Sequence, residues 1–199
     1  MRPILSRTDF LALIGTRSVT WDQRMKPEVG EAALAFGCSK PAHVGEYPVL
    51  HAVAAILASM MNHFTGLELK RSVEIVRRTW DGWLTLLIRA ESFPHIDQYV
   101  CIAWTSLDRT ETPHVAMGTI EEVGETCPPS ESPLCMIPIN LLLQRLRNNA
   151  RQAGIDLPAR LTVDPEKDKR AYKKWRDEID AYREAAGARV ARTKPLAPA

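Results

Sequence analysis

No run of about eighteen consecutive apolar residues occurs in the chain, so no membrane-spanning helix is expected. Cysteine is scarce. Cys38, Cys101, Cys127 and Cys135 form no CxxC pair, and no histidine pair has zinc-finger spacing. That leaves no sequence signal for a metal, and the four residues read as free thiols in or near a core. Neither a Walker-type phosphate loop nor a GxGxxG turn is present, which removes the commonest nucleotide-binding enzymes. The acidic stretch Asp164–Asp168 lacks the alternating ligands and central glycine of a calcium loop. The opening residues, Met1–Arg7, turn polar at once and lack the apolar stretch of a secretory leader. A cytoplasmic, non-enzymatic protein without a cofactor is the expectation.

What is present is ordinary in amount and uneven in distribution. The 199 residues are 45% hydrophobic and 25% charged, enough for one large domain or two small ones with a buried core. The net charge is only +2. Residues 1–45 hold six basic against four acidic side chains, residues 46–158 nine against thirteen, and residues 159–199 eleven against seven. Two basic ends flank an acidic middle, a pattern compatible with nucleic-acid contact.

Ser6 is placed to cap a helix with Asp9 three residues on, and Phe10, Leu13 and Ile14 fall on one helical face before Gly15. Thr16 or Ser18 opens a second short helix that Pro27 stops. Two short helices about a glycine-containing turn outline a helix-turn-helix. Residues 38–45 form a loop. A long apolar helix then runs from Pro48 through Val49, Val53, Ile56, Met60 and Phe64 to Gly66. A further helix is expected over Glu68–Arg89, with a kink or break near Gly82.

Beyond Pro94 the period changes to that of strands. Tyr99–Thr105 and His114–Ile120 read as a hairpin, Gly124–Pro133 as an exposed loop, and Ile139–Ala153 as a helix ended by Gly154. Near the C-terminus Tyr172, Trp175, Ile179 and Tyr182 recur at heptad spacing for barely two heptads. They form either a dimer seam or a face docked on the same subunit. The last eight residues should be disordered. The predicted fold class is mainly α with a small β-hairpin. It comprises a helix-turn-helix unit at 1–90, an α+β segment at 91–158 for sensing or interaction, and a basic C-terminal helix and tail at 159–199.

The candidate chemistry lies in the short second helix. If Val19 and Trp21 or Met25 face the first helix, then Arg17, Thr20, Gln23, Arg24 and Lys26 face outward. Arginine reads guanine edges and glutamine adenine edges bidentately, while Arg17 and Lys26 at the ends suit phosphates. Lys40 and His43 are candidate backbone contacts. A Cys–His nucleophile from Cys101 with His95 or His114 finds no orienting third group.

The succession of a helix, a glycine turn, an Arg/Thr-bearing helix, a loop, then Glu46-Tyr47-Pro48 and Thr65-Gly66-Leu67-Glu68-Leu69 resembles the winged-helix DNA-binding domain of MerR-type regulators and excisionase-like proteins. The resemblance covers about residues 4–78. It implies a winged helix-turn-helix, sequence-specific binding of double-stranded DNA as a homodimer on paired half-sites, and regulation of transcription or an architectural role in recombination. The rival expectation is a protein-interaction factor, an anti-activator or adaptor, using the Tyr172–Tyr182 seam on an unknown protein partner.

Overall fold

The chain enters its first helix through Ser6, whose hydroxyl accepts from the Asp9 backbone N–H at 3.1 Å and donates to its carboxylate at 2.7 Å. A computed structural model of the protein describes residues 4–17, 20, 47–104, 112–127, 135–162 and 170. Helix α1 spans Arg7–Ile14 and ends on Gly15 in the left-handed conformation, φ 65°. Phe10, Leu13 and Ile14 are buried as the spacing predicts. Strand β1 (Ile4–Leu5) pairs antiparallel with β2 (Tyr47–Pro48), and Tyr47 stacks on Phe10 at 4.3 Å. Of the second helix expected over 17–26 only Arg17 and Thr20 are among the described residues, and the wing expected before Tyr47 lies outside them.

Helix α2, Val49–Thr65, is the axis of the fold. Thirteen of its seventeen residues are buried, so it is surrounded rather than laid on a surface. Helices α1 and α3 (Leu69–Arg78), together with α6 (Ile139–Ala153), pack around it. Gly66, φ 72°, closes α2. Phe64, expected on the apolar face, instead stands 53% exposed.

The single helix expected over 68–89 is two. It breaks at Thr79, between α3 and α4 (Trp80–Ser92), and not at Gly82. The cause is side-chain competition for backbone acceptors. The Thr79 hydroxyl donates to the Ile75 carbonyl at 2.8 Å, and the Trp83 indole N–H donates to the Val76 carbonyl at 2.9 Å. In an unbroken helix the Val76 carbonyl would serve the Trp80 N–H. Gly82 has another use: a Cβ there would stand 2.7 Å from Met117 Sδ, so its absence lets a strand approach α4.

That strand is β4, His114–Gly118. It pairs antiparallel with β3, Tyr99–Ala103, which pairs on its other side with β5, Cys135–Pro138. The sheet therefore has three strands, one more than the expected hairpin. Thr119–Glu122 forms a capping box opening α5, Ile120–Thr126, where the sequence reading has a strand end and a loop. Val100, Ile102 and Ile137 face the main core, whereas Cys101, Ala116 and Val123 form a small cluster under α5. The protein is thus mainly helical with a small antiparallel sheet, an α+β architecture.

One hydrophobic cluster runs from Leu5 to Leu161 and joins α1, α2, α3, α4, the sheet and α6. The described residues do not divide near residue 90. Asn149 on α6 donates to the Leu13 carbonyl of α1 at 2.7 Å, tying the start of the chain to its last described helix. Among the described residues no helix is long and apolar enough to cross a membrane.

Candidate nucleic-acid interface

Of the expected DNA-contacting residues, Arg17 and Thr20 are described and both are exposed. Gln23, Arg24, Lys26 and Lys40 lie outside the described residues, as do His43 and the seam residues Tyr172, Trp175, Ile179 and Tyr182. The position of Arg17 is informative. It follows Gly15 by two residues, and a Cβ on Gly15 would stand 3.6 Å from the Asn149 amide nitrogen. Two residues of chain reach at most about 7 Å, so Arg17 leaves α1 beside α6.

Helix α6 is built for two faces. Ile139, Leu142, Leu143, Leu146 and Ala150 recur at helical spacing and are buried. The opposite stripe carries Leu141, Gln144, Arg145, Asn148, Arg151 and Gln152, all exposed. The fifteen residues contain three arginines, five amides and no acid. Arg147 is already occupied, donating to the Pro158 and Ala159 carbonyls at 3.4 and 2.6 Å and lying 3.6 Å from Glu91. Arg145 and Arg151 are in no ion pair among the described residues.

This stripe forms one wall of a groove of about 670 Å³. The end of α2 forms the other, with Ser59, Met60, Asn62, His63 and Phe64. None of its lining residues is acidic. Two of its amides are structural: Asn149 holds Leu13, and Asn62 donates to the Leu67 carbonyl at 2.5 Å to fix the α2–α3 turn. Gln144, Asn148, Gln152 and Arg145 on the wall are not so engaged among the described residues. From Leu141 to Gln152 the helix runs about 16 Å, and exposed Phe64 and Leu141 (46%) add apolar surface along the groove.

The sequence reading misses this stripe because it follows the apolar period of 139–153 and leaves the other side unread. The signal was available as a polar face of amides and arginines without a compensating carboxylate.

Elsewhere the ionisable groups serve the fold. Burial holds the His51 imidazole down at about 3, so it is a neutral core side chain set edge-on to Trp80 at 6.3 Å. The Glu122 carboxylate is held low by the Thr119 backbone N–H and by Arg89, which donates to both its oxygens at 3.0 Å. Cys101 is fully buried while His95 and His114 are exposed, which leaves no Cys–His pair. Among the described residues no three His, Cys, Asp or Glu side chains converge as a metal site.

Comparison with protein-family models, curated proteins and solved structures finds no match to this chain.

Proposed function

We propose that the protein is a sequence-specific, non-catalytic DNA-binding regulator that reads duplex DNA with the polar stripe of α6, extended by the segment that leaves α1 at Arg17. The carrying observation is the acid-free stripe Gln144, Arg145, Asn148, Arg151, Gln152, in which the arginines have no counter-ion among the described residues. An α-helix fits the major groove, where arginine recognises guanine O6 and N7 and the amides recognise adenine N6 and N7. Arg17, leaving α1 beside α6, adds a phosphate contact, and Thr20, Gln23, Arg24, Lys26 and Lys40, which follow it in sequence, extend the same reading. On this reading the resemblance to MerR-type domains describes the N-terminal segment as a winged helix-turn-helix. The protein then acts in the cytoplasm on transcription or recombination, as a homodimer on paired half-sites.

The experiment is fluorescence anisotropy on genomic duplex fragments across a salt series. The full chain should lose affinity steeply with salt, its log–log slope tracking the number of phosphates contacted. Arg145→Ala with Arg151→Ala should weaken specific binding by about 2–5 kcal/mol if both read bases. The triple change of Arg17, Arg24 and Lys26 to Ala should mainly flatten the salt slope, by about one unit per lost phosphate contact. Binding unchanged in both variants overturns the reading.

A second reading draws on the exposed Phe64 and Leu141, which suit a protein partner in the same groove, the role also open to Tyr172, Trp175, Ile179 and Tyr182. Such an interface is held by apolar burial and keeps its affinity as salt rises.

A further inference from the structure

The small cluster under α5 holds two thiols in contact. Cys101 Sγ lies 3.9 Å from Cys127 Sγ across 26 residues of sequence. They come from different elements. Cys101 sits at the middle of the central strand β3 and is fully buried. Cys127 is the C-terminal cap of α5, past the last helical turn, and is partly exposed. Cys135 provides an internal contrast. It opposes Ile102 in the sheet register and packs against the main core, on the other face from Cys101.

We propose that Cys101 and Cys127 are a redox-modification site that forms a reversible disulfide when the protein meets a hydroperoxide. A disulfide requires the sulfurs to close to about 2.05 Å. Cys127 is the C-cap of α5: its N–H still donates to the Val123 carbonyl at 2.8 Å, but its backbone is extended at φ −77°, ψ 124° and its carbonyl takes no part in the helix, so its side chain turns inward without unwinding α5. Nothing comparable brings Cys135 through the sheet.

The order of events follows from access. Cys127 is reached first. Its sulfur attacks the distal peroxide oxygen, an S–O bond forms and the O–O bond breaks, and the leaving oxygen takes the thiol proton. The sulfur is oxidised by two electrons to a sulfenic acid, and the peroxide is reduced to an alcohol, or to water from hydrogen peroxide. The Cys101 sulfur then attacks the Cys127 sulfur. The S–S bond forms, the S–O bond breaks, and hydroxide leaves with the Cys101 proton as water. Burial, then Cys127 beside it and to a lesser degree Cys135 across the strand, pushes the Cys101 thiol up to about 12. A thiol so held does not begin the reaction; what assigns Cys101 the resolving step is its place, buried and 3.9 Å from the Cys127 sulfur. A dithiol reductant reverses the bond by exchange.

The test uses the full chain. Reduced protein is treated with equimolar hydrogen peroxide, blocked with an alkylating agent and digested without reductant for mass spectrometry. The expected result is a peptide pair joining Cys101 to Cys127, a loss of two titratable thiols per chain, and restoration of both by dithiothreitol. Cys135→Ser should leave the crosslink intact, and Cys127→Ser should abolish it. Cys101→Ser should accumulate a dimedone-reactive sulfenic acid at residue 127. The wild-type digest decides the matter even if Cys101→Ser fails to fold. A crosslink of Cys127 to Cys135 or to Cys38, or no crosslink with Cys101 still alkylatable after denaturation, overturns the proposal.

Discussion

Replacing His51 with leucine should flatten the dependence of stability on pH between about 7 and 4. His51 is 3% exposed in the first turn of α2, and burial takes its imidazole from 6.5 to about 3. In the unfolded chain the ring takes up a proton near pH 6.5, but in the folded protein only near 3. The unfolded state therefore binds more protons throughout that window, and stability must fall as the pH falls through it. The contribution is intact above pH 6.5 and declines by about 1.4 kcal/mol per unit below. The loss reaches about 2 kcal/mol at pH 5 and about 3 kcal/mol at pH 4. Against a domain stability of roughly 5–15 kcal/mol, this decides whether the protein stays folded in mild acid. The assay is urea unfolding followed by tryptophan fluorescence at pH 7.5, 6, 5 and 4. Leucine forfeits the edge contact with Trp80, which offsets the two curves by a constant amount. Their difference should then shrink or reverse on acidification by the magnitudes above. Parallel curves, with a difference constant to within about 0.5 kcal/mol, would refute the argument.

Three further substitutions probe the fold around the site. Gly118→Ala should cost about 2–4 kcal/mol, read by urea unfolding, because Gly118 sits at φ 153° and a Cβ there would overlap Glu122 Oε2 and press its Cβ at 2.7 Å. Trp83→Phe should cost about 2–3 kcal/mol by the same assay, since it removes the indole bond to the Val76 carbonyl and leaves that acceptor buried. Glu91→Ala should raise amide hydrogen exchange at Leu161 and Thr162 by tenfold or more while strand β3 stays protected. The Glu91 carboxylate accepts from both of those backbone N–H groups and from the Thr162 hydroxyl.

What could be read from the sequence was what is decided locally. Ser6 and Gly15 bound α1 as expected because caps act within one turn. Gly66 and Gly154 end α2 and α6 for the same reason. The break at Thr79 was invisible to periodicity, because it depends on an indole reaching back seven residues in the folded protein. Strand β5 was missed because four residues ending in proline have no period of their own, and only the register against β3 makes them a strand. Helix α5 left a trace in Thr119 and Glu122, but it buries Val123 alone and so shows no apolar face. The expected site falls mostly outside the described residues. Arg17 and Thr20 are exposed, while the α6 stripe owes its significance to a neighbour, the end of α2, that sequence order hides.

The Asn149–Leu13 bond has a bearing on how the chain is made. Helix α1 is shielded by α2 on one side and by α6 on the other, yet more than a hundred residues separate its synthesis from that of α6. Until Asn149 has left the ribosome, Phe10, Leu13 and Ile14 have only part of their final cover. Such long-range closure is slow and leaves apolar surface open meanwhile. Helix α1 must wait for the far end of the chain before its cover is complete, so shortening the chain before residue 149 should yield aggregates rather than a smaller folded unit.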